Sequence, residues 1–386
     1  MKTPLLKLSA ISLALFTAHT YAAATLVSEM SHLNVGTAGA GSAVLSESAS
    51  AAFANPAAMA SFEEQAVTLN LATMALDVTY EDYRNDTRSS GNAGGIQPYG
   101  SLYYVAPVSE KAAFGMAFTS TGGSSLEYDP GYAGYVGLKD VSLTLVQVNP
   151  SVGYQLTENL NVGAGLQAEY ANLEQSFLGS TANLKGDSVA LGYNVGATYK
   201  LNDSNELGLS YRSKLEHNLD GQVRFAESYD SSVNLVNAAR LELSGLHQIN
   251  DPLSLVWSVG QEYWSENEAT TIQSGDISID KSREFDDVWF ASAGMRFDVS
   301  NNLRLEAGVG YVSSPQDDPD MQSTDLPVDE QRRYSAGATY RWNKSTSIKG
   351  YYSYVDYGNP VITSGLMYGE YHNHNQFFGI EINHSF

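Results

Sequence analysis

A chain of 386 residues with a net charge of −22, 34 glycines, 25 tyrosines and no cysteine excludes several classes before any motif is read. The acidity argues against nucleic acid, whose phosphates need Lys and Arg, and the lack of cysteine removes disulfide scaffolds and thiolate chemistry. An exported β-protein fits: an outer-membrane barrel is expected, with a periplasmic binding protein or a secreted sandwich open on composition alone.

The first residues set the compartment. Lys2 and Lys7 make a short basic region, Leu8 to Ala18 an apolar one, and Thr20-Tyr21-Ala22 offers small residues for cleavage. The apolar run is too short to span a bilayer, so residues 1–22 read as a removable signal peptide. Its loss takes the charge from −22 to −24. Residues 23–64 follow, and their centre, Gly36 to Met59, reads GTAGAGSAVLSESASAAFANPAAM: Ala, Gly and Ser with one acid, Glu47. Such a stretch cannot build its own core. Its small side chains suit packing inside something larger, and Asn55-Pro56 makes a rigid corner within it.

From 65 to 386 the hydropathy has period two. Val189, Leu191, Tyr193, Val195, Ala197 and Tyr199 alternate with polar or small residues, as do Leu303, Leu305, Ala307, Val309 and Tyr311. About fourteen strands are expected, near 66–80, 98–108, 111–121, 141–155, 159–175, 187–201, 205–218, 238–249, 252–265, 286–299, 302–313, 330–342, 345–357 and 372–386. Short turns alternate with long loops, near 81–97, 122–140, 176–186, 219–237, 266–285, 314–329 and 358–371. That two-rim asymmetry separates a membrane barrel from a sandwich. Tyr103, Tyr104, Tyr263, Trp264, Trp289, Trp342, Tyr351 and Tyr352 are expected in the interfacial girdles. The last strand alternates to Phe386, a signal for the barrel-assembly machinery. The fold class is therefore all-β: a multi-pass transmembrane antiparallel barrel in a Gram-negative outer membrane, facing lipid and lipopolysaccharide. A lumen that wide is not filled by its own side chains, so the segment before the first strand is expected to plug it as a hatch.

At this point the residues resemble a family. Gly36 to Gly41, Glu47 to Ala52, and Asn55-Pro56-Ala57 with Met59 are similar to the hatch of the FadL/TodX family of outer-membrane hydrophobic-compound transporters. Gly310 to Trp342 and Tyr352-Ser353-Tyr354-Val355 resemble its late strands. Arg332-Arg333-Tyr334 departs from the usual Asp-Arg-x-Trp, and the loop after the fifth strand is shorter than one carrying a capture groove. The resemblance implies passive import of hydrophobic molecules, long-chain fatty acids foremost, through a lumenal pocket, hatch movement and sideways release at a kinked third strand. Asn55, Pro56 and Ala57 then form the gating motif. Gly115, Gly122 and Gly123 are candidate points of weak pairing in the third strand. Among the lumen-parity charges (Glu169, Lys200, Arg212, Arg296, Asp298, Arg304, Glu306, Arg341), Arg212, Arg296 and Arg341 are candidate partners for a carboxylate. No cofactor or metal is expected; His372 and His374 lack further ligands, and the acidic run Asp317 to Glu330 lacks calcium-loop spacing. An aromatic-hydrocarbon importer, a porin or structural barrel, and a hydrolase remain alternatives. The last lacks a Gly-x-Ser-x-Gly elbow, so an enzyme is not expected.

Overall fold

The computed structural model describes residues 28–31, 34–178, 180–224, 228–274, 277–324 and 327–386. The expected signal peptide and residues 23–27 lie outside them. Fourteen antiparallel strands close into one barrel. They are β1 (Ala66–Asp82), β2 (Ile96–Ser109), β3 (Ala112–Glu127), β4 (Asp140–Gln155), β5 (Leu160–Phe177) and β6 (Ala182–Asn202). Four interrupted strands follow: β7 (Asn205–Arg212, then Leu215–Arg224), β8 (Ser228–Asn237, then Arg240–Asn250), β9 (Leu253–Glu262, then Ala269–Ser274) and β10 (Ile277–Ser282, then Val288–Asp298). β11 (Leu303–Val312), β12 (Gln331–Arg341), β13 (Thr346–Asp356) and β14 (Gly369–Ser385) complete the wall. β1 pairs with β14 along its whole length, from Ala66–Ser385 to Asp82–Gly369. Closure pairs the outer edges of the sheet, where each N–H or C=O left unpaired in hydrocarbon would cost several kcal/mol.

Alternation decides which way each side chain points. On β6, Leu191 and Val189 are 77% and 63% exposed on the lipid face, while Ala190, Asn194 and Thr198 are buried in the lumen. The expected girdle holds for Trp289 and Trp342, which face outward. Tyr103, Trp264 and Tyr351 are buried instead. Neighbouring residues on a strand take opposite faces, so Tyr103 and Tyr104, or Tyr351 and Tyr352, cannot both look at lipid.

The expected loops at 219–237 and 266–285 are corrected too. Leu215–Arg224 pairs with Ser228–Asn237, and Ala269–Ser274 with Ile277–Ser282, as ladders that extend the wall. In the first hairpin the polarity is inverted: Leu215, Leu219 and Val223 are buried, whereas Glu216, Asn218 and Asp220 are exposed. Water rather than lipid surrounds that part, so the outer face is polar and the lipid-facing pattern is missing.

The hatch occupies the lumen. Helix α1 (Ser28–Ser31) lies against β2 and β3, and a second one-turn helix, α2 (Ala51–Ala54), precedes a 3-10 segment, Pro56–Ser61. Ala40, Ala43, Ala49, Ala52, Phe53, Ala57 and Met59 are fully or almost fully buried. The small residues let the hatch backbone lie directly on the wall. Towards the long-loop rim the lumen is lined instead by an apolar cluster that includes Met74, Leu76, Leu126, Leu143, Leu145 and Phe377.

Candidate functional site

Among the contacts that hold the hatch, three sets begin with a residue the sequence marks. Asn55 is wholly buried. Its side-chain oxygen accepts from the Ala57 amide at 3.1 Å, capping the 3-10 turn that Pro56 opens. Its amide nitrogen lies 2.6 Å from Ala43 O, 3.2 Å from Ala197 O on β6 and 3.3 Å from Leu209 O on β7. One side chain thus shapes the corner and pins it to two strands. Wall serines and a threonine take hatch amides: Gly41 N donates to Ser258 Oγ at 3.0 Å, Ala43 N to Ser244 Oγ at 3.1 Å and Ala49 N to Thr68 Oγ1 at 2.9 Å.

Glu47 makes the ionic contact. It pairs with Arg296 of β10 and, at 2.7 Å, with Arg304 of β11. The network continues from Arg304 to Asp298 at 2.9 Å, from Arg296 to Glu306 at 3.5 Å, and from Lys349 to Glu306 at 2.7 Å. Glu47, Arg296, Arg304, Glu306 and Lys349 line a cavity of ≈ 270 Å³ between hatch and wall, together with Arg341 and Glu381. Burial among the wall side chains pushes the Glu47 carboxyl up, but the Arg296 and Arg304 guanidiniums outweigh it and hold the group down at about 2. Its folded value lies below the ordinary 4.5, so the stabilisation is full above that value and is lost as pH falls towards 2. The side chain is 54% exposed to that cavity, and screening leaves the latch about 1 kcal/mol, a roughly fivefold change in hatch population. Wild-type hatch release, followed as bilayer conductance, should therefore begin only below pH 4.5. Glu47→Gln at neutral pH should match the acid-treated wild type, and an unchanged acid response in that variant would remove Glu47 from the latch.

Arg212 of β7 provides the third contact. It is buried, its NH1 donates to Phe53 O of the hatch at 2.7 Å, and its guanidinium sits 3.7 Å over the Phe53 ring. Its NH2 donates to Gln147 Oε1 at 2.5 Å and Gln167 Oε1 at 2.8 Å. All these partners are oxygens of neutral groups. The other two candidate carboxylate partners are placed differently. Arg296 is engaged by Glu47 and Glu306, and Arg341 lies at the short-turn rim, donating to Asn301 O at 2.9 Å.

The third strand is irregular, though not at every expected glycine. Gly115 is paired on both sides, to Val105 of β2 and Ser151 of β4. It faces the hatch, and a Cβ there would meet Met59 Sδ at 2.2 Å; it makes room rather than weakening the ladder. Pairing of β3 with β2 stops at Thr119–Ser101. Thr121 is then an extra residue against β4, between Ser120–Val146 and Gly122–Leu145, and Gly123 has a φ of 142°. Beyond it, β3 keeps β4 alone until Glu127 N reaches Ala93 O at 2.8 Å. The wall between β2 and β3 is open over that interval. Met30, Tyr99 and Leu126 are buried beside it, with Tyr99 donating to Glu29 O at 3.2 Å.

At the outer rim Tyr80, Tyr128, Tyr132 and Tyr371 pack together, Tyr128 stacked on Tyr132 at 4.3 Å and Tyr80 edge-on to Tyr132. There too Glu81, Glu370 and His372 form a group of metal-type ligands among the described residues, but His372 is solvated and hydrogen-bonded to Asn359. His374 points to Asp77 at 3.9 Å. Thr121, Gln147 and Glu169 escaped the sequence reading as site residues, Glu169 standing there only as one lumen charge among eight.

The chain matches the model of the family described as "Outer membrane protein transport protein (OMPP1/FadL/TodX)" over residues 13–386. Outer membrane protein P1 of Haemophilus influenzae is 27% identical, with 86% of each chain covered. The long-chain fatty acid transport protein of Escherichia coli (strain K12) is 23% identical over 98% of this chain and 97% of its own. Among solved structures, a Pseudomonas aeruginosa FadL homologue superposes with a TM-score of 0.84 at 21% identity, covering 92% of this chain and 97% of that one. The P. putida toluene transporter TodX gives 0.73 at 17% identity, covering 96% and 99%. With its plugged fourteen-strand barrel, this chain belongs to the OMPP1/FadL/TodX family of outer-membrane proteins.

Proposed function

We propose that the protein imports hydrophobic molecules passively across the outer membrane, long-chain fatty acids foremost. Membership of an outer-membrane transport family supports transport, and the fatty-acid relatives support the substrate. The observation that carries the reading is the division of the lumen. An apolar outer half ends on a tightly bonded hatch, and the gap between β2 and β3 lies beside their junction. A ligand enters from outside, rests in the apolar half, and leaves sideways through the gap past Gly122 and Gly123 once the hatch shifts. Sideways exit keeps the tail out of water, which would otherwise cost about 0.8 kcal/mol per CH₂. Arg212 receives the carboxylate, because the hatch carbonyl it now binds is the acceptor that leaves. Asn55, Pro56 and Ala57 are the gating corner.

The tyrosine cluster favours a second reading. Its rings would stack on an aromatic hydrocarbon, and it offers hydroxyls rather than cations. Labelled oleate and toluene should be compared in cells lacking their own porter. Saturable, protein-dependent oleate uptake establishes the first reading; toluene uptake alone establishes the second. Neither, with folded protein in the membrane, overturns both. Asn55→Ala with Pro56→Ala should impair uptake while the barrel still assembles, and normal uptake by that variant would count against hatch gating.

A further inference from the structure

Glu169 of β5 is 0% exposed and collects donors from four other strands. Its Oε2 accepts from Thr121 Oγ1 of β3 at 2.6 Å and Gln147 Nε2 of β4 at 3.1 Å. Its Oε1 accepts from Asn237 Nδ2 of β8 at 2.5 Å and lies 3.2 Å from His217 Nε2 of β7. Asn237 and His217 stand beside the interruptions of their strands, and Thr121 is the bulge residue at the edge of the β2–β3 gap. Gln147 faces both ways. Its nitrogen serves Glu169, and its oxygen takes Arg212, whose other arm holds Phe53 O of the hatch. An unbroken line of hydrogen bonds, none longer than 3.1 Å, runs from hatch helix α2 to the β3 bulge.

We infer that Gln147 and Glu169 are positioning residues that transmit the state of the hatch to the β2–β3 gap. The inference rests on the import reading above and adds the part that joins its two moving pieces. Buried donors and acceptors are costly to leave unmade, and a buried charge more so. When the hatch takes Phe53 O away, the arm of Arg212 that held it is left to the ligand carboxylate, and the other arm is free to exchange the neutral Gln147 oxygen for a stronger acceptor. Glu169, one glutamine away, is a full carboxylate and the stronger partner. As Arg212 turns to it, Gln147 is displaced and Thr121 loses its acceptor. The bulge, already unpaired from β2, is then free to widen the gap. Hatch and exit are thereby prevented from moving independently.

The cysteine-free chain allows a direct test. Spin labels at Ile96→Cys on β2 and Ser125→Cys on β3 flank the gap, and their separation is read by double electron–electron resonance in nanodiscs. Loosening the hatch with Asn55→Ala/Pro56→Ala should shift that distance. Thr121→Val, which removes the hydroxyl at constant shape, should abolish the shift, as should Gln147→Leu; Thr121→Ser should preserve it. Barrel closure is checked for each variant by heat-modifiable gel migration, and Thr121→Val carries the test should Gln147→Leu fail to assemble. A shift that persists undiminished in Thr121→Val, or no shift when the hatch is loosened, overturns the relay. Uptake assays on the same proteins keep the two proposals apart: coupled distances without oleate or toluene uptake would sink the import reading and leave the relay standing.

Discussion

Gly196→Ala combined with Gly208→Ala should unseat the hatch and turn a closed barrel into a conducting one. A Cβ on Gly208 would lie 2.0 Å from the carbonyl oxygen of Ala43 and 2.4 Å from its carbon; one on Gly196 would lie 2.0 Å from Asn55 Oδ1. Neither contact can be kept. The wall is the fixed side, because Gly208 is paired to Thr198 and Ser244, and Gly196 to Gly163 and Ser210. The hatch rests largely on side-chain hydrogen bonds and the ion pairs of Glu47 and Glu29, so it moves first. Overpacking of this kind costs about 1–3 kcal/mol per site, comparable with what the Asn55 and Glu47 contacts contribute. In planar bilayers the double variant should conduct like a chain lacking its hatch, with unchanged heat-modifiable migration. Gly350→Ala, where nothing lies within 4 Å of the new carbon, should stay closed. A closed double variant would mean that the hatch adjusts in place.

What the sequence discloses depends on how narrowly physics constrains each face. Lipid contact demands apolar side chains at every second position, so Val189 to Tyr199 reads as a strand without help. The hatch is legible for a related reason, since only small residues permit the backbone contacts it makes at Ala43 and Ala57. Outside the bilayer that demand lapses, and the inverted hairpin of Leu215 to Asn237 passes for loop. Glycine is ambiguous in the same way. Gly115 and Gly123 look alike in a list of residues, yet one clears space for Met59 and the other bends the strand past a bulge. Function in the lumen is harder still. Thr121, Gln147 and Glu169 belong to three strands, and inward polar residues recur all round a barrel. Only the closed register brings these three within hydrogen-bond reach. A Thr directly before a Gly-Gly pair was the one local hint that the ladder breaks there.

Arg212→Met should change which ligand is accepted more than whether anything is accepted. The substitution keeps the length and apolar stem of the side chain while removing the charge and both arms, so the contact with Phe53 O and the two glutamines is lost together. A carboxylate received there forms a charge-assisted bond worth about 1.5–3 kcal/mol, which converts to a roughly 10–100-fold weaker apparent affinity for oleate. Toluene has no carboxylate to lose, so its uptake should change only through hatch loosening, a factor that acts on both ligands alike. The ratio of oleate to toluene uptake is therefore the quantity to follow, and it should fall by that same factor. Arg212→Lys retains a cation but not the two-armed geometry, so its ratio should lie between those of wild type and Arg212→Met. Were Arg212→Met to depress both ligands equally, the guanidinium would be an anchor for the hatch alone, and the carboxylate would have to be met elsewhere in the lumen. Were the ratio to collapse while toluene still entered, one buried cation would set the substrate class of a path whose outer half is apolar.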